Sequence, residues 1–337
     1  MRTRKYALGA ALTALVMLCG CNAAPAETAT PAESSVTAAT DAPAEITETD
    51  VPQTAINEQL TSPAVTSTLP GGYIPRSELL DCNFFDAADF NAFDAGSTAY
   101  DTGGEPLCGV APHHLAAGHF VAGMYKAAAA AEPETVVLLA PMHYRSENVI
   151  CTTDKGWNTA FGAVLCDTGL AAMFADKLGA PYDDEMVEYD HSASSHIPFI
   201  KRYLSDAKVA VLLVSPRAGR DFPERLADTL YEMSQSKRVF FAFSIDFSHY
   251  LQPNEAEKHD AGTLKAVTEG DTGTIEHFTD DNVDTPYCLS AFVRLSALLG
   301  GKITKADHGN TYTVGNMPYT PTLFTEGVTS YFVFLTS

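Results

Sequence analysis

The chain of 337 residues is long enough for at least one large domain, and it carries a formal charge of −21 at pH 7. Nucleic-acid binding needs clustered Lys and Arg, so a chain with 21 basic and 42 acidic side chains argues against it. The cysteines beyond residue 21 form no CxxC pair, which argues against a zinc ribbon or a disulfide scaffold. The sequence leaves open one disulfide among Cys82, Cys108, Cys151 and Cys166.

The start of the chain has the pattern of an export signal. A basic beginning is followed by an apolar run from Tyr6 to Leu18 and by small residues. The run is too short for a conventional membrane-spanning helix. Leu18-Cys-Gly-Cys21 resembles a bacterial lipobox. We therefore expect a lipoprotein signal peptide over residues 1–21, with Cys21 lipidated and the protein anchored on the extracytoplasmic face of a bacterial membrane.

A second segment, residues 22–75, is rich in Ala, Thr, Pro and Glu and contains no Lys or Arg. Such a composition buries too little apolar surface to form a core, so it predicts a disordered tether. The remaining residues, 76–337, are numerous enough for one large domain with a sizeable core.

The folded part alternates between apolar strands and helices after an irregular segment or short helix over residues 76–104. Strands are predicted over residues 106–111, 135–140, 149–152, 162–166, 209–215, 238–245 and 328–335. Helices are predicted over residues 118–131, 168–178, 195–204, 222–235, 254–269 and 285–299, and a hairpin or loop over 300–322. Continuous apolar strands are typical of a sheet that is covered on both faces. The predicted fold is a single α/β domain with a mixed, mainly parallel central sheet flanked by helices.

Two of these strands run into Ala-Pro and then reach a histidine, His113 in the first and His143 in the second. Because proline cannot continue a central ladder, each histidine is predicted to lie just past the carboxyl end of its strand. Ligand sites gather at that edge of α/β sheets, and imidazoles there favour a metal such as iron, copper or zinc. We interpret the adjacent His114 as a bystander.

Further candidate side chains come from later parts of the chain. Asp246 and His249 follow an apolar strand, while His191 precedes a predicted helix and His196 lies early in it. Cys288 begins another helix, where the helix N-terminus favours the thiolate that binds metals. Two of these residues also have a purely structural interpretation. Asp246 could cap the turn that follows it, and Cys288 could be a buried core residue.

Six short motifs occur in order along the folded part. They are Ala111-Pro-His113, Leu139-Ala-Pro-Met-His143, Asp190-His-Ser-Ala-Ser-Ser-His196, Ser244-Ile-Asp-Phe-Ser-His249, Tyr287-Cys288 and Thr329-Ser-Tyr331. Together they resemble the Memo family, also called AmmeMemoRadiSam system protein B, over about residues 107–334. The resemblance implies a fold similar to the catalytic subunit of class III extradiol dioxygenases.

The resemblance also implies a site. Its metal would be iron or copper, with zinc as a further option, held by His113, His143 and Cys288. The implied catalytic or pocket residues are His191, His196, Asp246 and His249. The sequence departs from the family pattern where Ser194 replaces a usual glutamate and where His114 and Leu115 replace Ala-Gly. These departures alter the predicted pocket wall, so we do not transfer a substrate from relatives.

Three functions are compatible with this pattern, and whether the protein is an enzyme is left open. The first is a metal-binding envelope protein with iron- or copper-dependent redox activity. The second is an extradiol-type dioxygenase that acts on an aromatic diol. The third is a lipoprotein that binds a ligand or peptide without catalysis. A serine hydrolase is disfavoured because no Gly-x-Ser-x-Gly elbow is present.

Overall fold

The computed structural model describes residues 68–69, 72–73, 76–315 and 327–337. The predicted signal peptide over 1–21 and most of the predicted tether lie outside the described residues, so those two predictions stay predictions. Within the described part of the chain, no helix combines the length and the apolar character that crossing a bilayer requires.

The secondary structure follows the alternation expected from the sequence. The described strands are β1 Thr68–Leu69, β2 Gly72–Tyr73, β3 Leu79–Asp81, β4 Cys108–Ala111, β5 Thr135–Pro141, β6 Ile150–Thr152, β7 Gly156–Thr159, β8 Gly162–Val164, β9 Lys208–Val214, β10 Val239–Ser244, β11 Phe247–Leu251, β12 Ile303–Asn310 and β13 Val328–Thr336. The described α-helices are α1 Ala87–Ala95, α2 Gly118–Ala128, α3 Thr168–Met173, α4 Asp184–Tyr189, α5 His191–Ser194, α6 Ile197–Tyr203, α7 Phe222–Ser234, α8 Pro253–Glu269, α9 Thr272–Ile275, α10 Pro286–Leu298 and α11 Thr311–Val314.

The central sheet has the strand order β11-β13-β4-β10-β5-β9-β6, and β12 pairs with β13. Its middle strands β4, β10, β5 and β9 are parallel, whereas the strands on both sides join antiparallel. The sequence-based prediction of a mixed α/β fold is therefore confirmed. A smaller sheet has the order β3-β7-β8.

Two layers of side chains cover the central sheet, and strand β10 shows how. Phe240 packs into one apolar cluster with Phe199 of α6, while Phe241 and Phe243 pack into the other with Phe292 of α10. Successive side chains of a strand point to opposite faces, so one continuous apolar run serves both layers. Each buried phenylalanine contributes about 1.5–3 kcal/mol of stability relative to an exposed one.

The structure differs from the predicted elements in several places, and α4, α9 and β7 are among the elements that were not predicted. Residues 300–322, predicted as a hairpin or loop, contain strand β12, which pairs antiparallel with β13 along its length. The segment over His191–Ser194, predicted as an entry loop, is the short helix α5. Residues Phe247–Leu251, predicted as a junction, form strand β11. Strands β11 and β12 depend on pairing with β13, which local periodicity does not report.

The cysteines have no role as crosslinks in the described residues. Cys82, Cys108, Cys151, Cys166 and Cys288 are all free thiols there. The disulfide that the sequence left open is therefore not formed.

Candidate metal centre

The candidate site lies at the carboxyl edge of the parallel strands. Strand β10 lies between β4 and β5, and its last residue Ser244 is level with Ala111, the last residue of β4. The residues that follow these three strands therefore emerge side by side, and they include His113, Asp246 and His143. The predicted position of the two histidines past their strands is confirmed.

Three histidines meet at this edge. One ring nitrogen from each of His113, His143 and His191 lies within 4.8 Å of the others. The His143 and His191 rings stack with centroids 4.4 Å apart, and the His113 ring stands edge-on at 4.9 Å from His143. Such a group could hold a metal ion. His191, predicted as a pocket residue, thus joins the two predicted ligands.

Hydrogen bonds occupy one ring nitrogen of each predicted ligand histidine. The Ser244 hydroxyl donates to the Ser192 carbonyl oxygen at 2.7 Å, so its oxygen accepts from His113 Nδ1–H at 3.1 Å. His143 Nδ1–H donates to the Asp190 carboxylate at 3.0 Å. Both histidines therefore keep an Nε2 lone pair, and partners of this kind orient metal-binding histidines in proteins.

Burial keeps the rings of His113 and His191 uncharged. Burial lowers the pKa of His113 well below its ordinary value, and neighbouring His143 and His191 lower it further. Burial, assisted by His143, lowers the pKa of His191 to about 4. Burial alone would raise the pKa of Asp190, but the hydrogen bond from His143 outweighs it and the net pKa falls. Neutral imidazoles are the form that binds metals.

Two buried carboxyl groups lie next to His113. Asp246 accepts the His113 backbone N–H at 3.1 Å, and its Oδ2 lies 3.5 Å from His113 Nε2. Asp284 accepts the Asp246 backbone N–H at 3.1 Å, and its Oδ2 lies 3.6 Å from the same nitrogen. Burial raises the pKa of Asp246, and burial with the nearby Asp246 charge raises that of Asp284 well above its usual range.

Sequence reasoning assigned no role to Asp284. The only local signal is its position just before the Thr-Pro pair that starts helix α10. What brings it to the site is a bridge between Val283 and Phe247, two residues that lie far apart in the chain.

His196 and His249 have different surroundings from the three grouped histidines. His196 is fully buried, its Nε2–H donates to the Pro112 carbonyl at 3.0 Å, and its Nδ1 accepts from the Tyr125 hydroxyl at 3.0 Å. Both nitrogens are thus used in holding the turn before His113. His249 lies within β11, and its buried Nδ1 has no hydrogen-bond partner among the described residues.

Cys288 is buried in the first turn of α10. Burial raises the pKa of its thiol to about 12 despite a hydrogen bond with Thr285. No group of three mutually close metal-binding side chains in the described residues includes it. In the structure His191 lies close to His113 and His143. The role of Cys288 as a metal ligand stays a prediction.

His114, interpreted as a bystander, makes a defined contact. Its exposed ring meets the buried Tyr331 of β13, with Nδ1 and the tyrosine hydroxyl 2.6 Å apart. The ring therefore has a fixed position at the edge of the site, next to His113.

Together these features define a mixed α/β protein with a histidine-rich candidate metal site at the carboxyl edge of its parallel strands. The Memo-like protein family matches residues 105–306 of the sequence. The chain belongs to this family.

Individual relatives support the same assignment. A MEMO1 family protein of Methanopyrus kandleri is 30% identical over 178 residues, covering 50% of this chain and 62% of the relative. One from Methanococcoides burtonii is 30% identical over 172 residues, covering 49% and 63%. One from Aquifex aeolicus is 29% identical over 140 residues, covering 40% and 51%. The chain thus spans between half and two thirds of the length of these relatives.

Proposed function

We propose that the protein binds iron or copper through His113 and His143, with His191 beside them, and that this metal serves a redox activity. One observation carries the proposal: both histidines keep an Nε2 lone pair, and a ring nitrogen of each lies within 4.8 Å of a ring nitrogen of a third imidazole, that of His191. Imidazole suits both metals, and zinc accepts the same donors.

The surrounding residues have distinct tasks in this proposal. Ser244 and Asp190 hold the two ligand rings in the tautomer that binds a metal. A bound ion would supply redox or Lewis-acid chemistry at this position. His249, whose buried Nδ1 has no described partner, is suited to accept or give a proton to a ligand in the pocket. Asp246 orients the His113 backbone and borders the same pocket.

Anaerobic purification followed by elemental analysis tests the proposal. The wild-type chain, loaded separately with ferrous iron and cuprous copper, is expected to retain one of them near one ion per chain. His113→Ala and His143→Ala are expected to lose it. His277→Ala is the matched control, because His277 is exposed and bonds only within its own segment at Gly273. Wild-type protein that retains neither metal, or His113→Ala that retains it fully, would contradict the proposal.

The proposed location is the bacterial cell envelope, with the membrane reached through lipidated Cys21. The support is the sequence of residues 1–21 alone. In a bacterial host, the wild type should incorporate labelled fatty acid and sediment with membranes. Cys21→Ser should do neither, and unchanged labelling of that variant would contradict the anchor.

A second candidate function is oxidative cleavage of an aromatic diol. Exposed aromatic side chains near the histidines favour it: Phe84 contacts the His191 ring edge-on, and Tyr250 adjoins His249. Such side chains could stack on a planar ligand. Oxygen uptake with catechol that requires ferrous iron would support it, and its absence in iron-loaded protein would oppose it. Ligand binding by metal-free protein would instead support a non-catalytic binding role.

A further inference from the structure

Strand β11 is irregular at the position of His249. It pairs antiparallel with β13 at both of its ends, and between them β11 has three residues, 248–250, where β13 has only Thr329. Tyr250 there has a φ of 54°, a left-handed conformation that non-glycine residues seldom adopt. Gly327 lies so close to it that a Cβ would overlap the Tyr250 carbonyl group. Bulges of this kind occur next to active sites, where they direct a side chain.

The buried Asp260 of helix α8 spans this bulge with its carboxylate. Its Oδ1 accepts hydrogen bonds from the hydroxyl groups of Ser248 on β11, at 2.7 Å, and of Ser330 on β13, at 2.6 Å. Its Oδ2 accepts from His308 Nε2–H of β12 at 2.8 Å, and the His308 ring stacks on Phe332. One carboxylate thus joins three strands and a helix at the point where the pairing of β11 with β13 is interrupted.

The His249 ring depends on its backbone for its position. Burial lowers its pKa and the nearby charge of Asp246 acts in the opposite direction, so the ring lies beside the candidate metal site. Its buried Nδ1 has no hydrogen-bond partner among the described residues, so no bond at that atom fixes the ring. The His249 N–H donates to the Asp280 carbonyl oxygen at 3.0 Å, and the adjacent Ser248 is bound to Asp260. The place of the ring therefore follows from the shape of the bulge.

We propose that Asp260 is a positioning residue for His249. Its hydrogen bond with Ser248 fixes the bulge of β11, and the bulge holds the His249 ring at the site with Nδ1 available for proton transfer. His308 completes this support by occupying the second oxygen of the carboxylate. The inference rests on the proposed function, in which His249 exchanges a proton with a ligand, and it assigns a role to Ser248, which lies within one of the six sequence motifs.

Hydrogen exchange and ring NMR spectra of the metal-free full chain test this role. Ser248→Ala removes the hydroxyl that donates to Asp260, and Asp260→Ala removes the carboxylate. In both variants the His249 amide is expected to exchange about tenfold faster, the factor that corresponds to loss of one hydrogen bond to a charged group. The His249 ring signals, assigned by their absence in His249→Gln, are expected to shift in the same two variants.

Two further variants separate positioning from a general loss of stability. Ser296→Ala is the matched control, since it also removes a buried hydroxyl, but one that bonds to Thr336 at the far end of β13. It should leave the exchange rate and the ring signals of His249 at their wild-type values. Asp260→Asn keeps an oxygen that can accept from both serines, so it should return the ring signals close to their wild-type positions.

Faster amide exchange with unmoved His249 ring signals would show that Asp260 only stabilises the bulge, and it would overturn the positioning role. Ring signals that move equally in Ser296→Ala would overturn it as well. Because Ser248→Ala removes a single hydroxyl, the test does not require that Asp260→Ala folds. Both measurements use metal-free protein, so a wild type that retains no metal in the elemental analysis would instead contradict the proposed function.

Discussion

Two buried carboxyl groups at opposite edges of the central sheet have opposite surroundings. At the edge where β5 begins, Asp167 accepts from Lys237 at 2.7 Å and from Thr135 at 2.6 Å, and its other oxygen caps α3 through the Leu170 N–H. At the edge where β10 ends, Asp284 faces the lone pair of His113 and leaves one oxygen without a described partner.

The pKa directions follow from these contacts. Burial raises the pKa of Asp167, but the hydrogen bonds from Lys237 and Thr135 outweigh it and the net pKa is lowered. For Asp284, burial and the Asp246 charge both raise the pKa. The fold thus pairs the Asp167 carboxylate with Lys237, whereas burial favours the neutral form of the Asp284 carboxyl group.

The largest expected effect is stabilisation by the metal. A ligand that binds only the folded state adds about 2.7 kcal/mol to the free energy of unfolding at a free concentration 100 times its dissociation constant. We expect about this gain for the wild type and for Asp167→Asn when ferrous iron is added anaerobically, and none for His113→Ala. Urea unfolding with and without iron measures it. An equal gain in His113→Ala would place the bound iron elsewhere.

Removal of the carboxylate at the opposite edge should destabilise the metal-free protein. Asp167→Ala leaves Lys237 and the start of α3 without their partner. We expect a loss of roughly 2 kcal/mol, less than for a fully buried pair because the Lys237 side chain is 30% exposed. Urea unfolding in the presence of a chelator measures this loss. Lys237→Met combined with Asp167→Ala should recover part of it, and no recovery would argue against the ion pair as the cause.

The sequence was sufficient to predict the positions of His113 and His143, because Ala-Pro after an apolar strand is a local signal. It was also sufficient for the mixed α/β fold, since buried strands such as β5 and β10 are continuous apolar runs. The position of Asp284 beside His113 could not be predicted, because it depends on the pairing of Val283 with Phe247. The same holds for the hydrogen bonds of His196 with Tyr125 and Pro112, which join three separate segments.

Asp284→Asn should have a stability effect opposite in sign to that of Asp167→Ala. A folded-state pKa above the unfolded value means that stability is greatest below about pH 3.9 and falls as the pH rises toward the folded pKa. Because asparagine does not ionise, the variant lacks this loss of stability at higher pH. We therefore expect metal-free Asp284→Asn to be more stable than the wild type at pH 7 by roughly 1 kcal/mol.

The difference should shrink as the pH is lowered toward 4. Unfolding curves in chelator at several pH values between 4 and 7.5 measure it. The Asp167→Asn variant supplies the contrasting profile. In the wild type, the lowered pKa of Asp167 contributes stability above about pH 3.9 that is lost as the pH falls through the folded value. The variant lacks this contribution. A loss of stability at pH 7 in Asp284→Asn would show that this carboxylate is as well satisfied as Asp167.

The smallest expected effect concerns His114 at the rim of the same edge. His114→Ala removes the hydrogen bond with Tyr331, and we expect a loss of about 0.5–1.5 kcal/mol because the tyrosine hydroxyl is buried. Tyr331→Phe should cost a similar amount, and the double variant should cost less than the sum of the two. Iron affinity should stay at the wild-type value in all three, because neither side chain belongs to the proposed ligand set. A loss of iron affinity in His114→Ala would show that the His114 ring also contributes to the metal site.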